Sequence, residues 1–87
     1  MGGRVHANPE DLKKLRRSID EAQREINEAV RKMTSALAAA DWQDSARQDF
    51  ERKLHETAST VKRFDQSANV LKPILDRKVR ELEAYLR

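Results

Sequence analysis

Ala36-Leu37-Ala38-Ala39-Ala40-Asp41-Trp42-Gln43-Asp44-Ser45-Ala46-Arg47-Gln48-Asp49-Phe50 lies at the middle of the chain, and its reading decides the fold. Small side chains at Ala36, Ala38, Ala39 and Ala40 let another helix approach closely. Asp41, Asp44 and Ser45 then offer side-chain oxygens that can cap a new helix. Ser45 and Gln48 have the spacing of a capping box. The single Trp, Trp42, stands between these two signals. The stretch reads as the tight bend of a helix-turn-helix hairpin, with the bend at about 41–45.

Outward toward the N-terminus, apolar residues recur at Leu12, Leu15, Ile19, Ala22, Ile26, Ala29, Met33, Ala36 and Ala40. Steps of three and four are those of a helix with one apolar seam. Val30 and Leu37 widen the stripe near the bend. Asn8-Pro9-Glu10-Asp11 is a helix start: Asn8 can cap, Pro9 suits the first helical position, and two acids face the positive end of the dipole. A helix over about 9–40 is predicted, roughly 50 Å long at 1.5 Å per residue, after a loose tail at 1–7.

Outward toward the C-terminus, the stripe continues through Ala46, Phe50, Leu54, Val61, Phe64, Ala68, Leu71, Leu75, Val79, Leu82 and Leu86, with Thr57 and Ala58 bridging one gap. A second helix over about 45–86 is predicted. Pro73 lies inside it, removes a bond to Asn69 and crowds that carbonyl. Either one helix kinked near 73 or two separate helices fit the pattern.

The expected fold is all-α, a single domain over 1–87 made of two long antiparallel helices. Two helices seal only part of each stripe, and small chains often complete a core by association. Two hairpins face to face make a four-helix bundle, and a two-fold dimer is its simplest closed form. The expected seam comprises Leu15, Ile19, Ile26, Val30, Met33 and Leu37 on the first helix. Phe50, Leu54, Val61, Phe64, Leu71 and Leu75 continue it on the second. Val70 and Ile74 are expected to widen it.

The chain is 38% charged with a net charge of +3. Such a load suits disorder, but the regular apolar spacing decides for long helices. Opposite charges recur four apart at Glu10–Lys14, Asp20–Arg24, Glu28–Lys32, Asp49–Lys53, Asp76–Arg80 and Glu83–Arg87, a spacing that supports exposed helices. Arg16 is expected to be solvated. Arg16-Arg17, Lys62-Arg63 and Arg77-Lys78 are scattered, which argues against nucleic acid or a membrane as partner. No run approaches the ~18 apolar residues of a membrane span. The first residues lack the apolar stretch of a signal peptide and fail the myristoylation pattern at His6.

Chemistry-bearing patterns are sparse. With 0 Cys there is no disulfide framework, cysteine nucleophile or thiolate zinc site. Glu51 and His55 are four apart, whereas a di-iron bundle site uses Glu-x-x-His from two helices. No phosphate loop or nucleophile elbow occurs. Ser45, Ser59 and Ser67 have no matching His and Asp. The expectation is a non-enzymatic chain with no catalytic residue, no metal ligand and no cofactor.

Trp42-Gln43-Asp44 in the central bend, Phe50 at helical spacing beyond it, and two long helices over about 8–87 resemble the WXG family of type VII secretion proteins. Its members are helical hairpins that pair into dimeric four-helix bundles. The resemblance implies a bacterial protein-interaction module acting as substrate, carrier or adaptor. It would be cytoplasmic or secreted without a cleaved signal peptide. The implied partners are a second copy or a related hairpin, then a larger secreted substrate or the secretion ATPase. Two departures stand out. Asp44 replaces the family's Gly, and the export tail Tyr-x-x-x-Asp/Glu is incomplete, since only Leu86 and Arg87 follow Tyr85. In the family the Trp can lie beside the partner's C-terminal segment, which makes Tyr85 of a second chain its candidate neighbour. Trp42 is expected either to seal one bundle end or to help form a recognition cleft there. The alternatives are a structural bundle protein with no secretion link and a basic membrane-surface or nucleic-acid binder.

Overall fold

The computed structural model describes residues 6–86, and they form two helices, α1 (Pro9–Ala39) and α2 (Ser45–Tyr85). The local start signals act as expected. Asn8 Oδ1 accepts from the backbone N–H groups of Glu10 at 2.8 Å and Asp11 at 3.4 Å, and Pro9 opens the helix. Two donors with no partner inside the helix are thereby satisfied. At the far end Ala40 turns extended, and its N–H donates to Leu37 O at 3.2 Å, which closes α1. His6 and Ala7 lie outside the helix, and the rest of the expected tail, 1–5, is outside the described residues.

Asp44 caps α2, accepting from Arg47 N–H. Ser45 is therefore the first helical residue and not the cap, so its spacing to Gln48 does not make a capping box. A carboxylate at this position also faces the positive end of the dipole. Of the two readings of Pro73, one helix is found: α2 runs unbroken from Ser45 to Tyr85. Pro73 is exposed, so water can serve the carbonyl it leaves without a helical donor.

The hairpin measures 64 × 23 × 14 Å and is one helix thick. That shape leaves little interior. Among the described residues only Ala68, Val79 and Leu82 are buried, all on α2, and α1 has no buried residue. The line where the helices meet runs through half-buried Leu12, Ile19, Val30 and Leu37, facing Leu54, Val61, Ala68 and Val79. Ala68, at 1% exposure, marks a point of close approach.

Candidate functional site

On one side of that line the helices are tied by polar pairs. Lys13 Nζ donates to Glu83 Oε2 at 2.9 Å, Arg16 Nε to Asp76 Oδ1 at 2.9 Å, and Lys72 Nζ to Asp20 Oδ1 at 3.0 Å. Nearer the bend, Gln23 Nε2 reaches Asp65 Oδ1 and Asn69 Oδ1, each at 3.3 Å. Asn27 Nδ2 straddles both Asp65 oxygens at 3.0 and 2.9 Å. Arg16 also pairs with Asp20. The bond to Glu83, with help from Glu10, raises the Lys13 pKa, and the bond to Asp76 raises that of Arg16. The Lys72 ammonium, then Arg16, holds the Asp20 carboxyl below its usual value.

This ladder corrects two expectations. Arg16 is not a solvated bystander, because it joins both helices. None of the expected four-apart pairs forms among the described residues, and Glu83–Arg87 extends outside them. Glu10 and Asp49 instead take partners three apart, Lys13 and Arg52. Asp76 and Glu83 take partners across the hairpin, and Asp20 takes both Lys72 across the hairpin and Arg16 in the reverse four-apart order. A cross-helix partner is fixed by packing, whereas a four-apart pair must immobilise two long exposed side chains for a small return.

On the other side of the contact line the expected seam residues stand open. At about 100° per residue, Leu15, Ile26 and Met33 on α1 sit some way round from Leu12 and Ile19, away from the ladder. Phe50, Phe64 and Leu71 do the same on α2. Because the helices are antiparallel, equal offsets bring both groups to one broad face of the hairpin. Leu15 is 50% exposed, Met33 42%, Phe50 44% and Leu71 51%. Ile19, Val30, Leu37, Leu54, Val61 and Leu75 are half-buried at its edge. Val70 departs from expectation. Val70 is two residues, about 200°, from buried Ala68, so it stands on the outward side of α2 and widens no stripe.

The bend end is a compact knot. Trp42 is half-buried, and its ring lies against Phe50 with centroids 5.7 Å apart at 55°, a tilted contact of the favoured kind. Trp42 Nε1 donates to Asp44 Oδ1 at 2.8 Å. The same oxygen accepts from Arg47 N–H at 3.2 Å. The Arg47 guanidinium donates back to Trp42 O and to Glu51 Oε1, both at 2.9 Å. Tyr85 is 74% exposed at the opposite end, so only a second chain laid head to tail could bring a Tyr85 to Trp42.

Beside the knot, Leu37, Arg47, Glu51, Leu54, His55 and Ala58 help line an open hollow of about 300 Å³. His55 is exposed there. Among the described residues no three His, Asp or Glu side chains gather as metal ligands, and no described helix is long and apolar enough to cross a membrane. No family model, curated protein or solved structure matches this chain.

Sequence reasoning missed Gln23, Asn27, Asp65 and Asn69. Asn27 and Gln23 are four apart on an otherwise apolar-edged helix, and Asp65 and Asn69 are four apart on the other. That matched pair of short polar interruptions was the available signal.

Proposed function

We propose that this chain is a non-enzymatic interaction module whose open apolar face closes on a second helical hairpin, a copy of itself in the simplest case. One observation carries the reading: the apolar residues of both helices collect on one face, while the polar ladder occupies the other side. A hairpin stable by itself has no use for large exposed side chains such as Met33, Phe50 and Phe64 on a common surface. The broad side, 64 × 23 Å, has an outline of roughly 1,500 Å², above the ~800 Å² that each partner contributes to a standard stable interface. A two-fold partner turned head to tail would complete a four-helix bundle of two layers and set each Trp42 near the partner's C-terminal end.

A role in type VII secretion, as substrate, carrier or adaptor, is a narrower step. It rests on the likeness of Trp42-Gln43-Asp44 and the hairpin to WXG proteins. A larger secreted substrate or the secretion ATPase would then be the onward partner.

Sedimentation equilibrium at micromolar concentration tests the first step. The parent chain should sediment as a dimer, and Met33→Glu with Phe64→Glu should sediment as a monomer that keeps its helix content by circular dichroism. A compact monomer of the parent chain overturns the proposal. Co-purification from the native host tests the second step. Recovery of a membrane ATPase of the secretion type supports it, and a dimer that brings down only itself leaves a structural bundle protein.

A further inference from the structure

The outward side of α2, facing away from α1 and bordering the open apolar face at Ile74, carries a second surface. Arg63, Val70, Ile74 and Arg77 follow one another seven, four and three residues apart, and so fall on one line along the helix. Val70 is 65% exposed and Ile74 56%. Pro73, also exposed, lies inside the helix beside them, and the carbonyl of Asn69 lacks its helical donor there.

The charge around this line is one-sided for a structural reason. Over residues 60–80 the exposed charged side chains are basic, Lys62, Arg63, Arg77 and Arg80, while Lys72 joins the ladder through Asp20 and the two acids of the segment are Asp65 and Asp76. Both acids are turned toward α1, Asp65 to Gln23 and Asn27 and Asp76 to Arg16. Arg63, Arg77 and Lys78 form no ion pair among the described residues. The fold thus spends the acids on the ladder and leaves a basic, aliphatic-centred strip outside. Glu81, one turn beyond Arg77, ends it.

We infer that this strip docks an acidic amphipathic helix from another protein, with aliphatic residues on Val70 and Ile74 and carboxylates toward Arg63 and Arg77. The width suits one helix, which presents residues three and four apart. A membrane surface fits less well. Interfacial helices bury a wide apolar face rich in Trp, Phe and Leu, and this strip has two aliphatic residues with arginines on the same line. Val70, Arg63 and Arg77 lie roughly 80–120° round α2 from Leu71, so they stay accessible at the margin when a partner covers the open apolar face, and Ile74, about 60° from Leu71, borders both surfaces.

The probe is a fluorescent synthetic helical peptide with leucines on one face and glutamates beside them, titrated with the full chain at low salt and read by anisotropy. Its counterpart has lysine for every glutamate, and vesicles of phosphatidylserine and phosphatidylcholine form a third arm. Saturable binding of the glutamate peptide and not the lysine peptide is expected. Val70→Ser with Ile74→Ser should weaken it at least about tenfold. Arg63→Glu with Arg77→Glu should transfer preference to the lysine peptide. All four residues are exposed, and sedimentation should give these variants the parent's assembly state. No saturable binding of the glutamate peptide, or binding indifferent to both double variants, overturns the inference. So does vesicle binding abolished by the same substitutions, which would assign the strip to a membrane.

Discussion

Asp44→Ala should destabilise the hairpin more than its exposed position suggests. One Asp44 oxygen serves two donors, the Arg47 N–H at 3.2 Å and the Trp42 indole N–H at 2.8 Å. Losing an N-cap costs about 1 kcal/mol. The indole bond adds about 0.5–1 kcal/mol, taken at the low end because the pair is exposed. The total, about 1.5–2 kcal/mol, corresponds to a fall in melting temperature of roughly 6–16 °C for a chain of this size. Thermal unfolding by circular dichroism measures it, at one fixed chain concentration because association would shift the midpoint. Asp44→Asn keeps the acceptor oxygen and should retain most of the stability. Trp42→Phe keeps an aromatic ring for Phe50 but removes the indole N–H together with part of the ring; the double-mutant cycle with Asp44→Ala cancels the lost packing, and the two should couple by at least about 0.5 kcal/mol through the shared oxygen. A loss below about 0.5 kcal/mol for Asp44→Ala would refute the shared-acceptor account, as would strictly additive effects. Since Trp42 is only half-buried, Trp42→Ala should fall short of the 3–5 kcal/mol typical of deleting a fully buried aromatic.

Ala68→Leu should cost about 1–3 kcal/mol, because a larger side chain at 1% exposure must push the helices apart; urea unfolding checks it. Asp20 lies below its usual pKa because of Lys72 and then Arg16, so its stabilisation is complete above about pH 4 and is lost as pH falls through the lower folded value. The melting temperature should accordingly hold steady from about pH 8 to 5 and drop below about 4, and Asp20→Asn should remove part of the drop. Pro73→Ala should leave the assembly state unchanged and melt at the same temperature or higher, since α2 is already continuous there and the substitution restores a helical donor; loss of helix content would contradict that.

Much of the hairpin was legible because its signals are local. Asn8 with Pro9 starts α1 and Asp44 starts α2, each through contacts within a few residues, whereas the alanines before the bend favour helix and carry no stop signal. The apolar stripe was legible too, since helical spacing reveals which side chains share a face. It does not reveal where the neighbouring helix sits relative to that face. The contact line falls at one edge of the stripe, which left Leu15, Met33 and Phe50 open, and at its other edge placed Asn27 opposite Asp65. Those cross-helix partners depend on register between segments far apart in the chain, which no window of sequence contains. Val70 was misread for a related reason: an aliphatic residue near a stripe was assigned to it, although its angle around the helix places it outside.

The ladder also sets the order in which the hairpin can assemble. Its rungs join residues ever further apart in sequence, from a separation of 38 at Asn27–Asp65 to 70 at Lys13–Glu83. Loop-closure entropy grows with the logarithm of that separation, so joining the far ends first costs about 0.5 kcal/mol more than joining the middle. Each rung closed near the bend shortens the loop left for the next. The chain should therefore zip from Trp42 toward its termini and open in the reverse sense. During synthesis, α1 emerges with every rung vacant and waits for Asp65 before the first can close. Slowest hydrogen exchange near Asn27 and Asp65, with protection fading toward Lys13 and Glu83, would be the trace of that order in the finished molecule.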